Sequence, residues 1–136
     1  DKIASGQAIE VYGDGEIARD FTYVDDIVEA IIKMVEKPPD SQIAESGSMA
    51  TKVPSQIFNI GSGRPVSINR LVSLLEDSLG KKAVIQFKPQ PAEDMQITHA
   101  DIRDLEDMIG TLQTTQIEDG INQFVTWYRS YHHMDS

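Results

Sequence analysis

The chain has 136 residues, 40% of them hydrophobic and 25% charged, and a formal net charge of −10. That is one domain's worth of ordinary soluble composition, with no apolar run of transmembrane length and no signal-peptide pattern at Asp1–Gly6. The acidic balance argues against nucleic acid and anionic membrane surfaces as partners. Zero cysteines exclude disulfides, thiolate metal sites and a cysteine nucleophile, and fit a reducing cytoplasm, the expected location.

Taken in order, residues 1–6 read as the tail of a helix closed by Gly6, as in a piece of a longer protein. Ala8–Tyr12 is a short strand, and Gly13-Asp14-Gly15 a turn. Arg19–Val24 is a second extended run, leading into a helix over Val24–Lys37. Its apolar positions are Val24, Ile27, Val28, Ile31, Ile32 and Val35, and Pro38-Pro39 stop it. Thr22-x-x-Asp25 matches a capping pattern, and Asp25-Asp26 suit the positive end of the helix dipole. Residues 40–55, rich in Ser, Gly and Ala, read as a surface loop.

Ile57–Ile60 reads as a short apolar strand before the glycine loop Gly61-Ser62-Gly63-Arg64-Pro65. A helix over Ile68–Leu79 follows, N-capped by Ser67 and ended by Gly80. Ala83–Lys88 alternates as a strand. Residues 92–99 are loop-like. A short helix over Ile102–Ile109 is capped by Asp101. The last helix starts after Thr115 with the box Thr115-x-x-Glu118, buries Ile117, Ile121, Phe124, Val125 and Tyr128, and ends near Tyr131; the tail beyond it should fray.

The chemistry-bearing candidates each have a plain structural alternative. Gly61-Ser62-Gly63 offers strand, glycines and helix in the order of a phosphate-binding turn. Val66, however, stands where a dinucleotide fingerprint needs a third glycine, and a structural turn is the simpler reading. Asp25-Asp26 and Glu118-Asp119 lie at helix starts, where acids are expected; Glu93-Asp94 has no capping job in view. No nucleophile elbow is present, no metal set is evident, and none of the four tyrosines begins a Tyr-x-x-x-Lys pair. Arg19 is a guanidinium at a strand-to-helix corner, a good partner for one phosphate. The alternative is a salt bridge to Asp14, Glu16 or Asp20.

Five stretches carry a resemblance. These are Ile-x-Val-Tyr-Gly-x-Gly…Arg-Asp-Phe-Thr-Tyr-Val-Asp-Asp-Ile-Val (9–28), Phe-Asn-Ile-Gly-Ser-Gly-Arg-Pro-Val-Ser-Ile (58–68), Leu-Gly-Lys-Lys-Ala (79–83), Gln-Pro-Ala-Glu-Asp…Thr-His-Ala-Asp (90–101) and Glu-Asp-Gly-Ile-x-x-Phe-Val-x-Trp-Tyr (118–128). In this order they resemble the C-terminal half of extended short-chain dehydrogenase/reductases, the NAD-dependent nucleotide-sugar epimerases and dehydratases. The nearest flavour is UDP-glucuronate 4-epimerase. The resemblance implies a mixed α/β fold of four helices and about five short strands, with residues 1–136 as the substrate-binding region of a Rossmann-like enzyme. It implies that Arg19 grips a UDP phosphate, Tyr12 and Phe21 line the nucleotide pocket, Asp94 bonds the ribose, Thr98 lies near the phosphates, and Val66 or Ser67 lies close to the uracil.

Departures from the family pattern sit at Gln90-Pro91-Ala92-Glu93, where relatives often carry an arginine, at His99 and at Gln113. By the same resemblance, NAD, the tyrosine and the lysine belong to an N-terminal half not represented in these residues, so this chain by itself is expected to be catalytically incomplete. Rival readings are part of a 4,6-dehydratase or a decarboxylating synthase, or a stand-alone binding domain without enzymatic activity. The open edge expected of the Ile57–Ile60 strand would favour a homodimer.

Overall fold

The computed structural model describes residues 1–38 and 55–134. The elements are α1 (Lys2–Ser5), β1 (Ala8–Tyr12), β2 (Ala18–Arg19), α2 (Val24–Val35), β3 (Val66–Ser67), α3 (Ile68–Leu79), β4 (Val84–Lys88), α4 (Arg103–Ile109) and α5 (Ile117–Tyr131). The architecture is mixed α/β, as the sequence implies. β1 and β4 run parallel in register Ala8↔Val84 to Tyr12↔Lys88, and β2 and β3 pair antiparallel.

The helix ends follow local chemistry. Gly6 and Gly80 close α1 and α3 in the left-handed conformation, φ 72° and 67°, where glycine carries no Cβ penalty. The Ser67 hydroxyl accepts the Arg70 N–H at 3.2 Å, the expected cap of α3. Just past Gly80, Glu76 accepts the Ala83 N–H at 2.8 Å and pairs with Lys82 at 2.6 Å, tying α3 to the start of β4. The other expected caps differ. α2 is N-capped by Tyr23, α4 by Ile102 and α5 by Gln116, none through a side-chain hydrogen bond. Thr115 bonds Asp26 and Glu118 pairs with Arg70 at 2.7 Å, whereas Asp101 accepts the N–H of Arg103, the first residue of α4, at 3.3 Å and also holds its guanidinium.

Two packing layers support the site. α3 lies against α5, where Val72 and Val125 are buried, and Ile3 and Ala4 of α1 are buried beside β1. α2 packs on α4, where Ala30, Leu105, Ile109 and Leu112 form a buried cluster joined by Met34, Phe58, Ile60 and Met108. The buried face of α2 is therefore Asp26 and Ala30, with Met34 partly covered. The apolar stripe Val24, Val28, Ile31, Ile32, Val35 is 47–76% exposed. The helical period was legible; which face would meet α4 was not, because the inward face carries an alanine and an aspartate.

Three expected extended segments are corrected. Arg19–Val24 contributes only Arg19 to a strand, since from Asp20 onward the backbone turns over to bond the 98–100 segment. Ile57–Ile60 keeps an alternating pattern, with Ile57 95% exposed and Phe58 and Ile60 packed inward. It forms no ladder among the described residues, because no strand lies beside it. The strand over Ala83–Lys88 starts at Val84. Four strands are present among the described residues rather than about five, and the segment beyond Tyr131 curls back through Met134, whose N–H donates to Arg129 O at 2.9 Å. The loop expected over 40–55 falls, apart from Ser55, outside the described residues.

Candidate functional site

β2 is short but held on both sides. Arg19 faces Val66 and Ala18 faces Ser67 across the antiparallel pair, while Ala18 forms a parallel bridge to Ile97. On that second side Ala18 N–H donates to Gln96 O (2.9 Å) and accepts at its carbonyl from Thr98 N–H (3.2 Å). Arg19 is thus mounted between two chain segments that are distant in sequence. Its Nη1 donates to Met95 O at 2.7 Å and to Ala18 O at 2.9 Å, and its Nη2 pairs with Asp94 Oδ1 at 2.5 Å. The two side chains are 26% and 32% exposed. Both line a cavity of about 210 Å³ with Glu10, Val11, Tyr12, Ile17 and Ile68.

The alternative partners read from sequence are occupied otherwise. Asp14 accepts the Glu16 N–H, and Glu16 accepts from Asn69. Asp20 turns away from its neighbour and becomes the anchor of the glycine loop. Its Oδ1 accepts the Ser62 N–H (3.0 Å) and hydroxyl (2.5 Å), and its Oδ2 accepts Gly63 N–H (3.1 Å) and Ala100 N–H (3.0 Å). Burial pushes this carboxyl up, but the Ser62 hydroxyl and the Ala100, Gly63 and Ser62 amides together hold it below its ordinary value. The loop that resembles a phosphate-binding turn therefore spends its amides on an internal carboxylate. Gly61 is required by the close approach: a Cβ there would lie 2.4 Å from Ala100 Cβ and 2.9 Å from Asp20 Oδ2. His99 Nε2 lies 3.2 Å from Gly63 O, within hydrogen-bonding distance on the outer side of the same loop.

The site residues named from sequence divide into two groups. Arg19, Asp94 and Tyr12 share one cavity. Val66 and Ser67 are brought beside Arg19 by strand register, though the Ser67 hydroxyl is committed to capping α3. The Thr98 hydroxyl accepts the Asp20 N–H at 3.3 Å, one residue from Arg19. Phe21 is elsewhere: it lines a more apolar cavity of about 270 Å³ with Tyr23, Leu71, Ile121 and Phe124. Sequence reasoning missed the anchoring roles of Asp20 and of Asp26, whose carboxylate holds Thr115. The signal available for Asp20 was a carboxylate and an amide-rich glycine loop in one chain, without any indication that they meet. Among the described residues no group of three or more metal-ligating side chains occurs, and no helix is long and apolar enough to cross a membrane.

The sequence profile of the NAD dependent epimerase/dehydratase family matches residues 1–61. The chain is similar to this family over those residues. Among its relatives, Protein CapI from Staphylococcus aureus is 40% identical over 96% of this chain and 40% of its own length. A probable UDP-glucuronate 4-epimerase from Rhizobium meliloti is 33% identical over 94% of this chain and 39% of its own length. The crystal structure of UDP-glucose 4-epimerase from Thermotoga maritima, with UDP-glucose, superposes with a TM-score of 0.76 at 27% identity, covering 96% of this chain and 38% of that one. The chain spans about 40% or less of the length of the curated relatives it matches here. The epimerase/dehydratase fold thus accounts for the mixed α/β arrangement around Arg19.

Proposed function

We propose that this chain is the sugar-nucleotide-binding portion of an NAD-dependent UDP-sugar 4-epimerase of the UDP-glucuronate 4-epimerase kind. The observation that carries the reading is the Arg19–Asp94 pair lining a cavity with Tyr12, in a chain whose relatives include UDP-glucuronate 4-epimerases over more than nine-tenths of its length. Arg19 supplies a guanidinium suited to a diphosphate, and Asp94 an acceptor for hydroxyl groups. Tyr12 offers an aromatic wall for the nucleoside, Val66 and Ser67 border it, and Thr98 holds the backbone beside Arg19. Phe21 lines a separate, more apolar cavity and is not assigned to this pocket.

In this reading residues 1–136 bind and orient substrate but carry no Tyr-x-x-x-Lys pair, so proton transfer and NAD binding belong to other residues of a complete enzyme. NAD would there accept and return the hydride at the sugar. A cytoplasmic, homodimeric enzyme is part of the same proposal. The family's description also names dehydratases, and these are the second reading.

Calorimetric titration with UDP-glucuronate, UDP-glucose and dTDP-glucose tests the proposal. UDP-glucuronate is expected to bind most tightly, with UDP-glucose next. Tightest binding of dTDP-glucose would favour the dehydratase reading, and equal indifference to all three would remove the nucleotide-sugar assignment.

A further inference from the structure

Arg19 and Asp94 each neutralise the other in the cavity, at 2.5 Å. Arg19 has little freedom to swing away, because β2 is clamped between β3 and residues 96–98 and Nη1 is bound to two carbonyls. Asp94 is the looser partner. It sits in the turn after Pro91, with its N–H on Pro91 O at 3.1 Å.

An anion approaching Arg19 therefore meets a carboxylate already on the guanidinium. If it takes the guanidinium, it leaves that carboxylate unpaired beside a second negative charge. A phosphate ester that also carries hydroxyl groups meets a different situation. Its oxygens replace Asp94 on Arg19, and its hydroxyls donate to the released carboxylate, so both charged groups stay satisfied.

We propose that Asp94 is a specificity-determining residue that withholds Arg19 from bare anions and yields it only to a phosphate ester bearing hydroxyl donors. The inference rests on the phosphate-binding role of Arg19 given above. It is selection by a repulsive element: the carboxylate penalises ligands that cannot return its hydrogen bonds.

The test is calorimetric titration of the 136-residue chain with inorganic pyrophosphate and with uridine diphosphate at fixed ionic strength. Wild type, Asp94→Asn, Arg19→Ala and the double variant are compared, with a melting temperature recorded for each. Asp94→Asn is expected to bind pyrophosphate about tenfold more tightly than wild type, a gain that a misfolded chain does not produce. Its preference for uridine diphosphate over pyrophosphate narrows accordingly. Unchanged or weaker pyrophosphate binding by Asp94→Asn overturns the proposal. An equal gain in the double variant overturns the phosphate role of Arg19 itself, and undetectable binding of both ligands by all four proteins overturns both readings.

Discussion

Asp26, on the first turn of α2, accepts both the backbone N–H (2.8 Å) and the hydroxyl (2.7 Å) of Thr115, 89 residues later in the chain. The aspartate is 7% exposed, and the bonds pin the start of α2 to the entry of α5. Arg64 reinforces the junction from the glycine-loop side, donating from Nη2 to Thr114 O (2.9 Å), the Thr114 hydroxyl (2.6 Å) and Thr115 O (3.2 Å). Asp26→Ala leaves two donors without their acceptor and is expected to cost about 1–3 kcal/mol in urea denaturation. A double-mutant cycle with Thr115→Val should recover much of that cost as coupling between the two positions.

The Asp20 carboxyl gives the protein an acid-side signature. Its folded value lies below the ordinary one, so its contribution is fully present above the unfolded value of about 3.9 and is lost as pH falls through the folded value. Asp101, held at about 2 by the Arg103 guanidinium, acts in the same direction, as do Glu76 beside Lys82 and Glu118 beside Arg70. Melting temperature is expected to fall as pH drops below about 4. Asp20→Asn should lower it at neutral pH and flatten the acid slope; an unchanged slope would remove Asp20 from the account.

Gly61 and Gly120 make a contrasting pair. Gly61→Ala drives a methyl into Ala100 and the Asp20 carboxylate and is expected to cost about 1–3 kcal/mol. Gly120 lies inside α5, and a Cβ there meets only ordinary contact with Tyr23 Cδ2 at 3.4 Å. Gly120→Ala should stabilise by about 0.5–1 kcal/mol through helix propensity. Chemical denaturation of both variants checks the pair.

The two faces of α2 are distinguishable by substitution. Ala30 is fully buried against Leu105, Ile109 and Leu112, and Ala30→Leu is expected to destabilise by about 1–3 kcal/mol through overpacking. Val35 is 76% exposed, and Val35→Lys should change stability by no more than about 0.5 kcal/mol. Thermal melts that reversed this order would mean that α2 is rotated about its axis.

On the proposed function, Arg19→Ala would remove a charge-assisted contact to a bound diphosphate. Affinity for UDP-glucuronate is expected to weaken by about 2 kcal/mol, read by calorimetry. The same substitution should change folding stability little, because the Asp94 carboxylate it releases is one-third exposed and can be solvated.

What the chain discloses in one dimension is its local chemistry. Ser67, Gly6 and Gly80 cap helices where cap residues should, and the period of α3 or β4 needs no tertiary knowledge. The family resemblance at 9–28 and 90–101 implies roles for Arg19 and Asp94 separately. Their pairing spans 75 residues, and no local pattern indicates it. The same holds for Asp20 and Asp26. Asp26 reads as a helix-start acid and Asp20 as part of an extended run beside Arg19, yet they collect donors from 42 to 89 residues away. Ile57–Ile60 failed for the opposite reason: its alternation is right, but a ladder needs a neighbour.

The parallel pairing of β1 with β4 sets an order of events during synthesis. Ala8 cannot meet Val84 until 76 further residues have been made, about 4–15 s at ordinary elongation rates. Until then Ala8–Tyr12 has no ladder partner in β4, and the cavity floor carried by Val11 and Tyr12 is incomplete. The arginine clamp matures later still, because Asp94 and Met95 follow β4. A nascent chain of this protein would thus complete α1, α2 and α3 before the Arg19–Asp94 pair can form, and α4 and α5 only after it.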